Sequence, residues 1–494
     1  MNMNKLIVTA INGVLMEACL AGIPSQASAD ETRPNVLMLC IDDMNDWVGF
    51  LDGHPQTKTP NMDRLAAKGV NFTNAHCPAP ACSPSRNAIM LGSEPYHTGF
   101  YPFYRLQEVE PEVLEPYTAL PQLLRKNGYI TCGASKVFHN PDNFWRKDLN
   151  WDDYAMYGDS DINRARCKGF VPTDLTGRKK EKFSVTPGTN PIEDFGGYKT
   201  AMHGVRFLEK DHDKPFFLAV GFIRPHLPFR MPEENYDRFA GPIEPPAIKE
   251  DDLDDLPPAA KAMVTRNQTD MYNRHNAWEN ARRGYLASIN FTDDNVGRVL
   301  KALEKSPYTE NTIIILWSDH GFHLNEKESF TKFTLWGEST RTPFIIYDPR
   351  GQEGNGKKCD EPVGLINIYQ TVCDFTGVTP PEYVDGKSLL PWLKNPSRIK
   401  ERPAITTWGR GNYSLRTKKW RYIHYFNGDE ELYNLQKDPN EWNNLAKDPE
   451  YSSLKQEFKE KWIPQNEAPQ VTSGRELYNV LDADKPGHLG KGNK

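Results

Sequence analysis

Asn35-Val36-Leu37-Met38-Leu39-Cys40-Ile41-Asp42-Asp43 is the stretch on which the reading of this chain turns. The run from Val36 to Ile41 has no polar face, as expected of a strand covered on both sides of a parallel sheet. Two aspartates follow at its C-terminal end, where open α/β sheets hold their ligands. The pattern recurs downstream. Thr312 to Trp317 is an apolar run closed by Ser318-Asp319-His320, and Phe216 to Phe222 leads into Arg224-Pro225-His226. A weaker run, Tyr129 to Ala134, leads to Lys136 and His139. Such recurrence predicts an α/β fold in which one sheet brings several polar strand ends to one site.

Helical patterns intervene. Thr59 to Lys68 opens on Thr-Pro, carries Asp63 in its first turn and sets Leu65 on an apolar face. Tyr285 to Glu304 spaces Leu286, Ile289, Val296, Val299, Leu300 and Leu303 at near-helical intervals. Segments 141–200 and 226–280 are rich in Pro, Asp and aromatics and read as long loops that shape a pocket. From about Pro403 the texture changes. Ser414 to Phe426 alternates like a strand, Glu431 to Leu435 reads as another, and Tyr451 to Trp462 reads as a helix. The domains expected are therefore a catalytic unit over 30–400 and a small α+β C-terminal subdomain with antiparallel sheet over 401–494.

A net charge of −6 argues against a nucleic-acid partner, which usually meets a basic face. A local basic funnel for a polyanion can still sit on an acidic protein. Arg178-Lys179-Lys180 and Lys418-Lys419 with Arg421 are candidates for it, although such runs are usually solvated surface. Residues 1–29 read as a signal peptide, with Lys5 before an apolar stretch from Leu6 to Leu20 and Ala27-Ser28-Ala29 at the cleavage position. The stretch is too short and interrupted to span a bilayer comfortably. An exported chain, periplasmic or secreted and without a membrane partner, is expected. The eight cysteines show no zinc spacing and are too sparse for a disulfide scaffold.

Cys82-Ser83-Pro84-Ser85-Arg86 is harder to read as packing. Proline and two serines suggest a polar, stiff, exposed loop. Taken alone, Cys82 could be a plain thiol or half of a disulfide with Cys77, and Asp42-Asp43 could simply cap a turn. Hard oxygen ligands at strand ends together with a loop carrying a special nucleophile describe a metal-assisted hydrolase.

These residues resemble the type I sulfatases of the alkaline phosphatase superfamily, whose signature is Cys-x-Pro-Ser-Arg. Thr59 to Ala66, Phe72-Thr73-Asn74-Ala75, Ser318-Asp319-His320-Gly321 and Glu431 to Leu435 are similar to further stretches of that family. Lys136-Val137-Phe138-His139 and Arg224 to Phe229 look closest to its iduronate-2-sulfatase subgroup. The resemblance implies a large domain with a mixed, mostly parallel sheet sandwiched by helices. It implies that a formylglycine-generating or sulfatase-maturing enzyme oxidises Cys82 to Cα-formylglycine, whose hydrated form attacks sulfur. It assigns Asp42, Asp43, Asp319, His320 and the converted Cys82 to a divalent metal, calcium, with magnesium possible. It gives Arg86 to charge neutralisation, Lys136 and Lys332 to sulfate oxygens, His139 to the diol and His226 to the leaving alcohol, with the two histidines able to exchange roles. His97, Arg224, His323, Trp336, Arg230 and His424 are candidate pocket residues, since aromatics stack on sugars and arginines fork onto carboxylates. The longer family signature continues Leu-Thr-Gly-Arg, whereas Met90-Leu91-Gly92-Ser93 stands here.

The expected activity is sulfate-ester hydrolysis on a sulfated saccharide, specifically a 2-O-sulfated uronic acid of glycosaminoglycan or algal polysaccharide. The alternatives are a phosphonate or phosphate-ester hydrolase of the same superfamily and a non-catalytic polysaccharide-binding relative.

Overall fold

A computed structural model describes residues 33–471 apart from 102, 104–108 and 140–146. The expected signal peptide, with Lys5 and Cys19, lies outside the described residues.

Asn35–Asp42 is the strand that the apolar run predicts, buried along its whole length. It pairs in parallel with Phe216–Pro225 on one side and Thr312–Ser318 on the other, setting Val36 opposite both Phe217 and Ile313. The eight-stranded sheet runs Lys358–Cys359, Val70–Phe72, Phe344–Tyr347, Thr312–Ser318, Asn35–Asp42, Phe216–Pro225, Ile130–Ser135, Asp153–Ala155. Phe344–Tyr347 is antiparallel to both of its neighbours, so the sheet is mixed but mostly parallel.

The alternation of side chains along a strand feeds two apolar layers. Leu37, Leu39 and Ile41 pack with Leu286, Ile289 and Val296 of the helix Trp278–Lys305. Val36, Met38 and Cys40 face the other way, against Ile89 of the helix Cys82–Leu91 and Ile368 and Val372 of Asn367–Thr376. Each such buried side chain contributes roughly 1.5–3 kcal/mol. Helices on both faces leave the strand ends as the place where polar groups can gather.

Two expectations need correction. The long helix starts at Trp278, seven residues before its periodic pattern, because its first turns bury Ala281 and the stem of Arg282 and not a leucine stripe. The segments expected as loops also contain regular structure. Gly196–Leu208 is a helix of thirteen residues, and Arg266–Arg274 is another. Their glycine-rich or polar sequences hide the pattern that packing enforces.

The C-terminal region forms a separate four-stranded antiparallel sheet of Ala404–Thr407, Tyr413–Arg416, Trp420–His424 and Glu430–Asn434. The alternating stretch 414–426 is thus two strands with a turn between them. Helix Ser452–Trp462 packs Phe458 against Tyr422 and Leu432. Arg421 is buried in an ion pair with Glu441, so it is no part of an exposed basic funnel. This sheet grips the segment that precedes Cys82: the Thr407 amide donates to Pro78 O at 2.8 Å and the Thr406 hydroxyl to Cys77 O at 2.6 Å.

Candidate active site

Cys82 begins a ten-residue helix and is buried, which corrects the expected exposed loop. Pro84 fits the first helical turn, where its missing N–H has no partner to lose. The small side chain of Ser85 lets the helix start approach the neighbouring strand end, and its hydroxyl donates to Asp319 O at 2.5 Å. Gly92 closes the helix at φ 70°, the left-handed conformation glycine accepts without strain. All seven described cysteines are free thiols, so Cys77 and Cys82 form no disulfide.

Three strand ends converge on Cys82. Its sulfur lies 3.2 Å from His320 Nε2 and 3.8 Å from Asp43 Oδ1. His320 Nε2 is 3.3 Å from Asp43 Oδ1 and 3.6 Å from Asp319 Oδ1. The other ring nitrogen, Nδ1, donates to Gly321 O at 2.9 Å, so Nε2 is the ring atom that faces these carboxylate oxygens. Asp42, Cys82, Asp319 and His320 can share one ion, as can Asp42, Asp43, Cys82 and His226. This oxygen-rich donor set fits a hard divalent cation.

Positive side chains surround the acids. Arg86 is fully buried; its Nε donates to Asp319 Oδ2 at 2.8 Å, one terminal nitrogen donates to Ile41 O at 2.9 Å and lies 3.5 Å from Asp42 Oδ1, and the other reaches the Lys136 and Val137 carbonyls. Lys136 pairs with Asp42, and Lys332 Nζ meets both oxygens of Asp43 at 2.6 and 2.7 Å. Burial alone would raise the Asp42 carboxyl, but Lys136, His226 and Arg86 hold it well below the usual range. Asp43 is likewise lowered, against burial, by His226 and Lys332. Burial and Asp42 push the Cys82 thiol up, so the unmodified side chain is a neutral thiol and a poor nucleophile.

His226 Nε2 is 3.9 Å from Asp43 Oδ2, while its Nδ1 donates to Leu227 O at 2.5 Å. Burial pushes its pKa down to about 3, so the ring is neutral at rest. His139 is also held neutral, by burial and by Lys136; it stands edge-on to Phe103, and its Nδ1 is buried without a hydrogen-bond partner.

The backbone is strained beside these groups. Asp43, Ser135, Thr331 and Phe333 all have φ between 52° and 84°, a region costly for residues other than glycine. Each is a site residue or flanks one.

The expected pocket residues are placed differently. Arg224 does not face outward: it donates to Arg230 O and His226 O and pairs with Asp159, clamping the turn that carries His226. His323 is buried with Nε2 bonded to Thr334, and Trp336 is buried with its indole N–H on Glu431. His97 pairs with Asp385 at 2.8 Å, beyond the far end of the Cys82–Leu91 helix. His424 lies on a strand of the C-terminal sheet.

Two positioning residues escape a sequence reading. Tyr285 donates to Asp43 O at 2.7 Å and accepts from the Asn45 amide at 2.8 Å, which props the aspartate turn. Its sequence signal is only that of an apolar helix position. Asp159 holds Arg224 from inside a stretch with no periodic pattern.

Known proteins resemble this chain in sequence and in fold. The family model described as Sulfatase matches residues 34–378, and one described as N-sulphoglucosamine sulphohydrolase, C-terminal, matches residues 325–468. A sulfatase of Formosa agariphila is 36% identical over 466 residues, covering 89% of this chain and 88% of that one. Iduronate 2-sulfatase of Homo sapiens is 26% identical over 548 residues, covering 89% and 96%. The phosphonate monoester hydrolase of Agrobacterium radiobacter shares the fold, with TM-score 0.70 at 21% identity over 87% of this chain and 94% of that one.

Proposed function

The chain belongs to the sulfatase family, and from that premise we propose that it hydrolyses sulfate esters of a sulfated saccharide through Cys82 matured to formylglycine. The observation that carries this reading is the placement of Cys82 Sγ 3.2 Å from His320 Nε2 and 3.8 Å from Asp43 Oδ1. Asp42, Asp43, Asp319 and His320 would hold a divalent cation, calcium by their oxygen-rich chemistry. Such an ion supplies charge that polarises the sulfate oxygens and favours an oxyanion nucleophile.

The remaining roles belong to the chain's own groups. Three carboxylates are already matched by Arg86, Lys136 and Lys332. A cation added to this balanced set leaves a net positive pocket for an anionic ester. Lys136 and Lys332 then turn from Asp42 and Asp43 toward the sulfate oxygens. His226 keeps Nδ1–H on Leu227 O, so Nε2 must first take up a proton from solvent, favoured once the anionic ester sits beside it, and then hands that proton to the leaving alcohol. His139 orients the nucleophile's hydroxyl through the nitrogen that finds no partner among the described residues. Arg86 has no exposed surface and works on the carboxylates, not on substrate.

The likeness to iduronate 2-sulfatase supports a 2-O-sulfated uronic acid as the substrate. The N-terminal pattern around Lys5 and Ala27-Ser28-Ala29 supports export. No helix among the described residues is long and apolar enough to cross a membrane. Cys82→Ser should abolish turnover of p-nitrophenyl sulfate while the fold survives by circular dichroism, and undiminished turnover would refute the nucleophile. The fold is shared with a phosphonate hydrolase, so kcat/KM for p-nitrophenyl sulfate should be set against that for the phosphate and a phosphonate ester. Preference for either of the latter moves the assignment.

A further inference from the structure

Away from the Cys82 cluster, three unlike ligands meet at the edge of the main sheet. Cys132 lies on the strand Ile130–Ser135, Asp153 on the adjacent edge strand and His203 on the helix Gly196–Leu208. His203 Nε2 is 3.3 Å from Cys132 Sγ and 3.5 Å from Asp153 Oδ2, and the three ligand atoms all lie within 4.8 Å of one another. Cys132 and His203 lie 71 residues apart in sequence, with no spacing that would betray them.

We propose that Cys132, Asp153 and His203 form a second metal site, for zinc or a similar borderline divalent cation, that clamps this helix to the sheet edge. The two distances from His203 suit that ion. Zinc bonds of about 2.3 Å to sulfur and about 2.0–2.2 Å to nitrogen and oxygen, set tetrahedrally, place nitrogen about 3.5 Å from sulfur and about 3.4 Å from oxygen. The Tyr157 hydroxyl lies 3.2 Å from His203 Nδ1, so it can accept that N–H and leave Nε2 as the ligand, the outer partner that metal-bound histidines characteristically have. Cys132 and His203 are buried, whereas the Asp153 side chain is 57% exposed. The ion therefore has a route in, and its fourth position opens to water.

The charges balance. On binding, the Cys132 thiol releases one proton to solvent, and thiolate and carboxylate neutralise the dication. The other charged groups facing the cluster are Arg206, Lys210 and Asp152. Burial raises the Cys132 thiol, so without an ion the cluster is a hydrogen-bonded neutral pair beside a carboxylate, and binding strengthens with rising pH. The strand so clamped ends one residue before Lys136. The adjoining contacts tie the same elements, since Ser135 Oγ meets Thr200 at 2.7 Å and accepts from the Tyr157 amide at 3.0 Å.

The test uses cobalt(II), whose thiolate charge-transfer band reports a Cys ligand. It is added to full-length Cys82→Ala protein, which removes the sulfur of the other cluster. The band should saturate at one ion per chain and be displaced by zinc. It should vanish in Cys82→Ala/Cys132→Ala. In Cys82→Ala/Asp153→Asn, a solvent-facing change expected to leave the circular dichroism untouched, the midpoint for cobalt should rise at least tenfold. Absence of the band, its persistence without Cys132, or an unmoved midpoint without Asp153 overturns the site. If the Cys132 variant does not fold, the Asp153 variant decides alone.

Discussion

Arg86 ties together two of the strand ends that form the candidate site. It bonds Asp319, reaches Asp42 and holds three carbonyls from two strand ends, all without exposed surface. Its removal strands buried carboxylates. Arg86→Met should therefore cost about 3–5 kcal/mol in a urea melt, besides abolishing activity; a variant as stable as the parent would show that the carboxylates find other partners. His226 makes a prediction of another kind. A proton donor matters in proportion to the basicity of the leaving oxygen. His226→Gln should lower kcat/KM for a sulfated sugar by about 10²–10⁴-fold and much less for p-nitrophenyl sulfate. Equal losses on both would make His226 a sulfate-binding group. The exchange of roles between His226 and His139 is decided by the same pair of substrates.

At the scale of elements, strand geometry aims the site. Gly221 lies on the strand Phe216–Pro225 opposite Ser135, and a Cβ there would overlap the carbonyl group of Lys136. Backbone cannot yield as a flexible side chain can, so the turn carrying Lys136 must move. Gly221→Ala should lower kcat/KM for aryl sulfate at least tenfold, because displacements of about 1 Å are known to cost on the order of 10²-fold. Unchanged kinetics would mean that Lys136 is not held by this register. The Cys82 helix shows how far local reading goes. Pro84 and two serines look like a loop when taken alone. They become a helix start because Ala81 and Asp319 supply what the first turn needs, with Ser85 N donating to Ala81 O at 3.0 Å.

Across the whole molecule, the seam between the main unit and the C-terminal sheet carries a pH dependence. Glu94 is buried there near Arg402, and its Oε2 has no hydrogen-bond partner. Burial, only partly offset by Arg402, pushes its carboxyl from 4.5 up to about 8. The folded state thus favours the protonated form more than the unfolded chain does. That stability is full below pH 4.5 and lost as pH rises through about 8. Glu94→Gln should be close to the parent in urea melts at pH 4 and more stable at pH 9 by on the order of a few kcal/mol. Equal curves at both pH values would place the carboxylate in water.

Much of the architecture was legible from residues alone. The runs ending at Asp42, Ser318 and Pro225 are strands because a continuous apolar segment has no stable place except between two layers. The Cys82 signature and the strand-end acids identified the candidate site by chemistry. The pocket residues were not legible. Trp336, His323 and His97 have the side chains that bind sugars, yet the fold spends them on Glu431, Thr334 and Asp385. Asp159, Tyr285 and the meeting of Cys132 with His203 left no trace in the order of residues. The reason is physical. Burial acts on each segment's own pattern and so can be read segment by segment. Which polar groups meet depends on how strands and helices far apart in the chain are brought side by side, and only the folded molecule decides that.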